Sequence, residues 1–236
     1  MSRAASDRAG LAATDGRGWW FGGWVSSGVK AGITDRHTSL SDLVKALAWP
    51  VTAVGAEQVH GGSVAVVERC EEDAATVPGC DALLTRVPGL ALTVRSADCL
   101  PIFFADPSRG VIGIAHAGWR GLSVSLPARV VSALRHAYHT QASELRVALG
   151  PAIRACCYDV GPEFAARFGP FVREHGGRRT CDLIGVAHAQ LLACGIRPDH
   201  ILDSERCTAC DTQQWFSLRR EGPDTGRLTS LIVLRP

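Results

Sequence analysis

The sequence has a single methionine and only two tyrosines, and its charges nearly cancel, with 25 basic side chains against 23 acidic ones. A net charge of +2 gives no electrostatic footing for nucleic acid or an anionic membrane. The basic residues are scattered, apart from short pairs such as Arg178-Arg179 and Arg219-Arg220. No apolar run approaches the length of a membrane span, and the first residues lack the apolar centre of a secretory signal. There is no internal repeat. These absences leave a cytoplasmic globular chain as the expectation, with neither a nucleic-acid nor a membrane partner, either a monomer or a homodimer.

A hydrophobic share of 46% in 236 residues is enough to bury a core and fits one large domain or two intimate subdomains. Cysteine is plentiful by comparison, at nine. An odd number of widely spaced cysteines in such a chain reads as buried small hydrophobes, metal ligands or nucleophiles before disulfides. Cys70, Cys80, Cys181 and Cys194 are expected to pack without chemistry. Cys207-x-x-Cys210 has the spacing of half a zinc site or a redox pair, but no second Cys-x-x-Cys accompanies it.

Apolar runs and turn chemistry predict strands over 29–34, 63–68, 90–94, 100–105, 111–115, 145–149, 214–218 and 228–234. Helical spacing appears over 40–47, 127–138, 162–172 and 182–194, the last stopped by Gly195. Residues 1–28 read as a flexible leader, with Trp19–Val25 packing on the body, and residues 29–236 as one domain. The mixture of hairpin-like strands and helices favours an α+β fold over a regular βαβ alternation.

Three polar groups interrupt this apolar pattern where strands should end. His116 lies in Ala115-His116-Ala117-Gly118-Trp119-Arg120-Gly121, Cys99 in Ser96-Ala97-Asp98-Cys99-Leu100-Pro101, and His60 in Gln58-Val59-His60-Gly61. Two imidazoles and a thiol suit a catalytic zinc site with three protein ligands and a water. The metal would bring the pKa of that water near neutrality. Asp98 is a candidate to orient the site or accept a proton. His37, His136, His139, His175 and His200 are read as ordinary core or surface residues, and Trp119 as a packing residue.

Several ordered motifs resemble the YfiH family, once described as multicopper polyphenol oxidase or laccase-like and now as purine nucleoside phosphorylase. They are Gln58-Val59-His60-Gly61, Asp81-Ala82-Leu83-Leu84-Thr85, Ala97-Asp98-Cys99-Leu100-Pro101, His116-Ala117-Gly118-Trp119-Arg120-Gly121, Leu149-Gly150-Pro151-Ala152-Ile153 and Cys157-Tyr158-Asp159-Val160-Gly161. Cys207-Thr208-Ala209-Cys210, Phe216-Ser217-Leu218-Arg219-Arg220 and Thr225-Gly226-Arg227 also match. The resemblance implies a mixed α/β sandwich of the cysteine-hydrolase type. It also places zinc on His60, Cys99 and His116, with Cys99, His116, His60 and Asp98 as the catalytic group. The activities it implies are phosphorolysis of adenosine, inosine and methylthioadenosine, and deamination of adenosine. Phosphate needs cationic contacts, for which Arg36, Arg120 and Arg220 are the candidates, with Arg219 and Arg227 behind them and Gln58 beside the substrate. The amides of Gly118–Gly121 are a further candidate anion contact.

The chain departs from the family after Arg36, where a Leu-Asn-bearing segment is missing, and at Ala187, where members often carry Asn. A changed pocket wall is the expectation. Three other readings stay open. One is a thiol or metal-dependent amide hydrolase editing peptidoglycan precursors, with Cys99 as nucleophile and His116 or His60 as base. Another is a copper phenol oxidase, which copper's need for many more histidines disfavours. The last is a non-catalytic, metal-stabilised scaffold completed by Cys207 or Cys210.

Overall fold

A computed structural model describes residues 10–14, 16–25, 28–69 and 74–236. Its strands in chain order are β1 (Gly10–Ala13), β2 (Trp19–Gly22), β3 (Val29–Ile33), β4 (Thr52–Ala56), β5 (Val64–Val66), β6 (Ala75–Val77), β7 (Ala82–Thr85) and β8 (Leu90–Ser96). They continue with β9 (Leu100–Asp106), β10 (Val111–Ala117), β11 (Arg146–Leu149), β12 (Val172–His175), β13 (Arg178–Cys181), β14 (Ile201–Asp203) and β15 (Leu228–Leu234). The helices are α1 (Leu40–Leu47), α2 (Trp119–Ser123), α3 (Leu126–Tyr138), α4 (Glu163–Phe168), α5 (Leu183–Ala193) and α6 (Leu218–Glu221).

The first sheet runs β1-β2-β3-β15-β8-β4-β6 and the second β14-β11-β9-β10-β7-β5, with β12 and β13 as a separate hairpin. Both large sheets mix antiparallel pairs, such as β9 with β10, and parallel pairs, such as β4 with β8. The period of two along each strand sorts residues between layers. On β9, Phe103 and Ala105 meet Leu90, Leu92 and Ile232 of the first sheet, whereas Ile102 and Phe104 face α3 and α5. On β15, Ile232 points inward while Leu231 and Val233 pack with Leu43 and Leu47 of α1. Strands covered on both faces read as unbroken apolar runs, which is why β9 and β10 were conspicuous in the sequence. The result is the expected mixed α/β sandwich, with helices on its outer faces. Among the described residues no helix is long and apolar enough to cross a membrane.

The helices have local causes. Ser39 and Asp42 close a capping box at the start of α1. The Asp182 carboxylate accepts the Gly185 N–H at 2.9 Å and caps α5, and Gly195, at φ 90°, ends it.

The structure corrects four expectations. Residues 10–25 are not a flexible leader: β1 pairs with β2, and β2 with β3, because Phe21 and Trp24 bury themselves against the core. The rest of that leader, residues 1–9, 15 and 26–27, lies outside the described residues, as does Cys70. The helix over 162–172 stops at Phe168; Gly169 at φ 41° and Pro170 turn the chain into β12. The strand over 214–218 is instead a turn, anchored by Trp215 N–H to the Asp211 carbonyl and by burial of the Trp215 ring against Trp19 and Ile33. Ala187, in α5, lies fully buried in the apolar layer and forms no pocket wall, whereas Leu40, just past the altered segment, lines the larger cavity described below.

Candidate active site

Strand register brings two of the three candidate ligands together. β9 and β10 pair antiparallel with Ala117 opposite Leu100, so the next positions, Gly118 and Cys99, meet at the open end. A Cβ on Gly118 would stand 2.9 Å from the Cys99 sulfur, which only glycine avoids. His116 sits one residue before the end of β10, buried beside them.

His60 arrives from the loop between β4 and β5. The device that holds it is Asp81, at the start of β7 and fully buried. One Asp81 carboxylate oxygen accepts the His60 N–H at 2.9 Å and lies 3.1 Å from His116 Nδ1; the other accepts the Gly61 N–H at 2.6 Å. The Asp81 carbonyl also accepts the His116 N–H at 2.8 Å. One carboxylate thus ties the His60 loop to the His116 strand and leaves His116 Nε2 for Cys99 or a metal. The His60 loop is held against its preference, with Gln58 (φ 68°) and His60 (φ 59°) in the left-handed region, and Asp98 (φ 86°) in the turn before Cys99 joins them there.

The two imidazole rings meet edge to face at 4.8 Å between centroids. One ligand atom from each of His60, Cys99 and His116 lies within 4.8 Å of the others. Burial alone would raise the Cys99 thiol, but hydrogen bonds and positive charge from His116 and His60 bring it down to about 6. Burial likewise opposes a charged His116, and Asp81 and the Cys99 sulfur outweigh it, raising the imidazole to about 9. Without a metal the two shifts together favour the thiolate–imidazolium form of the pair. Two imidazole nitrogens and a sulfur at this spacing fit a zinc ion with an open fourth position.

His60 and Cys99 line two cavities, and His116 lines the larger of them. The larger, about 710 Å³, is lined by Gln58, His60, Arg95, Cys99, His116 and Arg227 among others. The smaller, about 360 Å³, takes in His60, Cys99, Trp119, Arg120, Tyr158 and Arg219. Arg219 lies 5.0 Å over the Tyr158 ring and Arg120 lies 4.5 Å over Trp119. Trp119 thus serves as a wall of the cavity as well as packing on Phe164.

Several expected contacts fall elsewhere. Arg36 pairs with Glu221, reaches the Trp215 carbonyl at 3.4 Å and stacks over Phe216 at 4.7 Å; it lines neither cavity. Arg220 turns away toward the Ala209 carbonyl and the Cys157 sulfur, so its neighbour Arg219 is the one that faces the site. Gln58 lines the larger cavity, yet its amide pairs both ways with the Arg95 backbone, at 2.5 and 2.7 Å. Asp98 binds Thr208 Oγ1 at 2.6 Å and the Arg219 N–H at 2.7 Å, which makes it a clamp for the C-terminal segment. The amides of Gly118–Gly121 open a helix of only five residues, too short for much end charge. Asp81 was the residue that sequence reasoning left out. Its signal was a carboxylate at the mouth of an apolar strand, within a motif already noted.

The fold and the site together define an α/β enzyme with a two-histidine, one-cysteine centre. The model of the multi-copper polyphenol oxidoreductase laccase family matches residues 34–235, and the chain belongs to that family. A purine nucleoside phosphorylase, YlmD of Geobacillus stearothermophilus, is 38% identical over 218 residues, covering 86% of this chain and 80% of YlmD. The crystal structure of YlmD matches at a TM-score of 0.87 and 33% identity, over 97% of this chain and all of that one. The adenosine deaminase RL5, from an unknown prokaryotic organism, is 32% identical over 72% of this chain and 70% of its own. The crystal structure of a hypothetical protein YfiH of Bacillus licheniformis matches at a TM-score of 0.85 and 26% identity, over 95% of this chain and 99% of that one.

Proposed function

We propose that this chain is a zinc-dependent enzyme of purine nucleosides, which cleaves adenosine, inosine and methylthioadenosine with phosphate and deaminates adenosine. The observation that carries the reading is the meeting of His60, Cys99 and His116 where two cavities adjoin, each of them lined by two arginines: Arg95 and Arg227 in the larger, Arg120 and Arg219 in the smaller. The names of the relatives YlmD and RL5 support the substrate class. Bound through His60, Cys99 and His116, zinc would supply a Lewis acid that lowers the pKa of water.

The cavities divide the work. Arg120 and Arg219 suit a phosphate dianion, and both aromatic faces of the smaller cavity are already covered by their guanidiniums. The nucleoside is therefore assigned to the larger cavity, whose volume is ordinary for a ligand of that size. In phosphorolysis a phosphate oxygen bonds to the ribose anomeric carbon as the bond to the purine nitrogen breaks, its electron pair leaving with the base. The arginines hold that phosphate and neutralise it. In deamination a water oxygen adds to the purine carbon that bears the amino group, and ammonia leaves. Asp81 keeps the His116 ring fixed throughout.

Incubation of the purified, zinc-loaded protein with adenosine checks the reading. Inosine is expected with or without phosphate, and adenine with ribose 1-phosphate only when phosphate is present. Product no greater than that of a His116→Ala control refutes it.

The thiolate–imidazolium pairing of Cys99 and His116 favours a second reading, amide hydrolysis that removes a wrongly incorporated amino acid from a cell-wall precursor. Activity that survives exhaustive chelation but is lost on alkylation of Cys99 would select it.

A further inference from the structure

A second group of ligands lies apart from the His–Cys–His centre. Cys156, Cys157, Cys207 and Cys210 bring their sulfurs within 4.8 Å of one another. Two turns supply them. In the first, the Cys157 N–H bonds to the Arg154 carbonyl; in the second, the Cys210 N–H bonds to the Cys207 carbonyl. A parallel bridge between Ala152 and Cys207 fixes the turns side by side, with the Thr208 N–H on the Ala152 carbonyl at 3.1 Å. The vicinal pair Cys156-Cys157 thus provides the half-site that Cys207-x-x-Cys210 lacked in the sequence.

The geometry points to a structural zinc ion held by these four thiolates. A tetrahedral site with zinc–sulfur bonds of about 2.3 Å needs sulfurs about 3.8 Å apart. Cys210 Sγ lies 3.4 Å from both Cys156 Sγ and Cys157 Sγ. That equality shows no preferred disulfide pair, and both distances far exceed the roughly 2.05 Å of a bond. Four soft sulfur donors in this arrangement select zinc over the harder cations. The surroundings suit the extra negative charge of four thiolates on a divalent ion. The backbone amides of Arg154 and Cys210 are directed at the Cys207 sulfur, and Arg220 Nη2 lies 3.7 Å from the Cys157 sulfur. Arg220 also binds the Ala209 carbonyl at 3.0 Å, strapping the loop between the last two cysteines.

The ion would fasten a wall of the active site. Thr208, between Cys207 and Cys210, donates to Asp98, the neighbour of Cys99. Tyr158, next to Cys157, lies in the smaller cavity under Arg219. Loss of the ion would leave the two loops tied only by the Ala152–Cys207 bridge and the Thr208–Asp98 bond.

The test separates this site from the first. His116→Ala and Cys99→Ser variants, purified under reducing conditions without chelator, are expected to retain about one zinc ion per chain, with X-ray absorption showing a shell of sulfur alone at about 2.3 Å. Cys210→Ser, an exposed position where folding is least at risk, should lose that ion in the His116→Ala background; Cys207→Ser should do the same. Cobalt(II) substituted into the His116→Ala chain should give thiolate charge-transfer absorption that disappears with Cys210→Ser. The proposal is overturned if the His116→Ala and Cys99→Ser chains hold no metal. It is also overturned if the cobalt absorption survives Cys210→Ser, or if two of the four thiols prove to be joined as a disulfide in the freshly purified protein. None of these readouts depends on catalysis, so failure here leaves the nucleoside reading standing, and the converse also holds.

Discussion

The two clusters of sulfur and nitrogen in this molecule are built in opposite ways. The His–Cys–His centre draws its groups from strand ends and one strained loop, borders two cavities, and has a buried carboxylate behind it. The four-cysteine cluster draws its sulfurs from two hydrogen-bonded turns at the surface, and none of the four lines either cavity. Three donors with an open side can exchange ligands, whereas four donors are saturated. The contrast separates a centre arranged for chemistry from one arranged for holding loops together.

The largest expected effect tests that division. His116→Ala should lower turnover of adenosine by more than about a hundredfold, while the thermal unfolding midpoint falls far less than for Cys207→Ser. Equal losses of activity in both variants, measured per folded molecule, would break the comparison. Next comes Asp81→Asn, which removes the charge that holds His116 and one of the two oxygens that accept the His60 and Gly61 amides. Metal affinity at this centre should fall by about 10- to 100-fold in a chelator competition, with the sulfur-only shell of the other cluster unchanged.

Cys207→Ser should act through stability. A loss of about 2–3 kcal/mol would lower the unfolding midpoint by roughly 5–10 °C, read by calorimetry with and without chelator. The arginines sharpen the contrast further. Arg219→Ala should raise the KM for phosphate several-fold, whereas Arg220→Ala should leave that KM unchanged and weaken zinc retention at the cysteines. The smallest effect is a pH profile. In the metal-free chain, alkylation of Cys99 should stay fast down to about pH 6, because the lowered pKa keeps the reactive thiolate populated below neutrality. In the metal-free His116→Ala chain the profile should move upward in pH, since the cation that favours the thiolate is gone.

Much of the centre was legible because its residues break an apolar pattern. His116 and Cys99 stand out at the ends of strands buried on both faces, and His60 adjoins a glycine pair. Asp81 was harder to see, because a single carboxylate before Ala82-Leu83-Leu84 gives no hint that it serves two loops at once. The arginines were not separable at all: Arg219 and Arg220 are neighbours in α6, and the helix sends one toward Tyr158 and the other toward Cys157. The short strands β4, β6 and β14 escaped notice for a related reason. Their few residues carry weak periodicity, and pairing with longer neighbours is what makes them strands. The packing of Trp19–Val25 on the body is legible from its aromatic rings, whereas β1, with only Gly10-Leu11-Ala12-Ala13, becomes a strand through its pairing with β2.

The sequence by itself determined the mixture of strands and helices, the apolar strands, the Gly195 stop of α5 and the residue types of a three-ligand centre, since these follow from periodicity and from the chemistry of single side chains. Tertiary structure alone decided which arginine faces the cavity, that Asp98 clamps the C-terminal segment, and that Cys156 and Cys157 meet Cys207 and Cys210 across some fifty residues of chain. The physical reason is that such meetings depend on strand register and on how loops cross between elements, and no local pattern in the chain encodes the distance between residues so far apart along it.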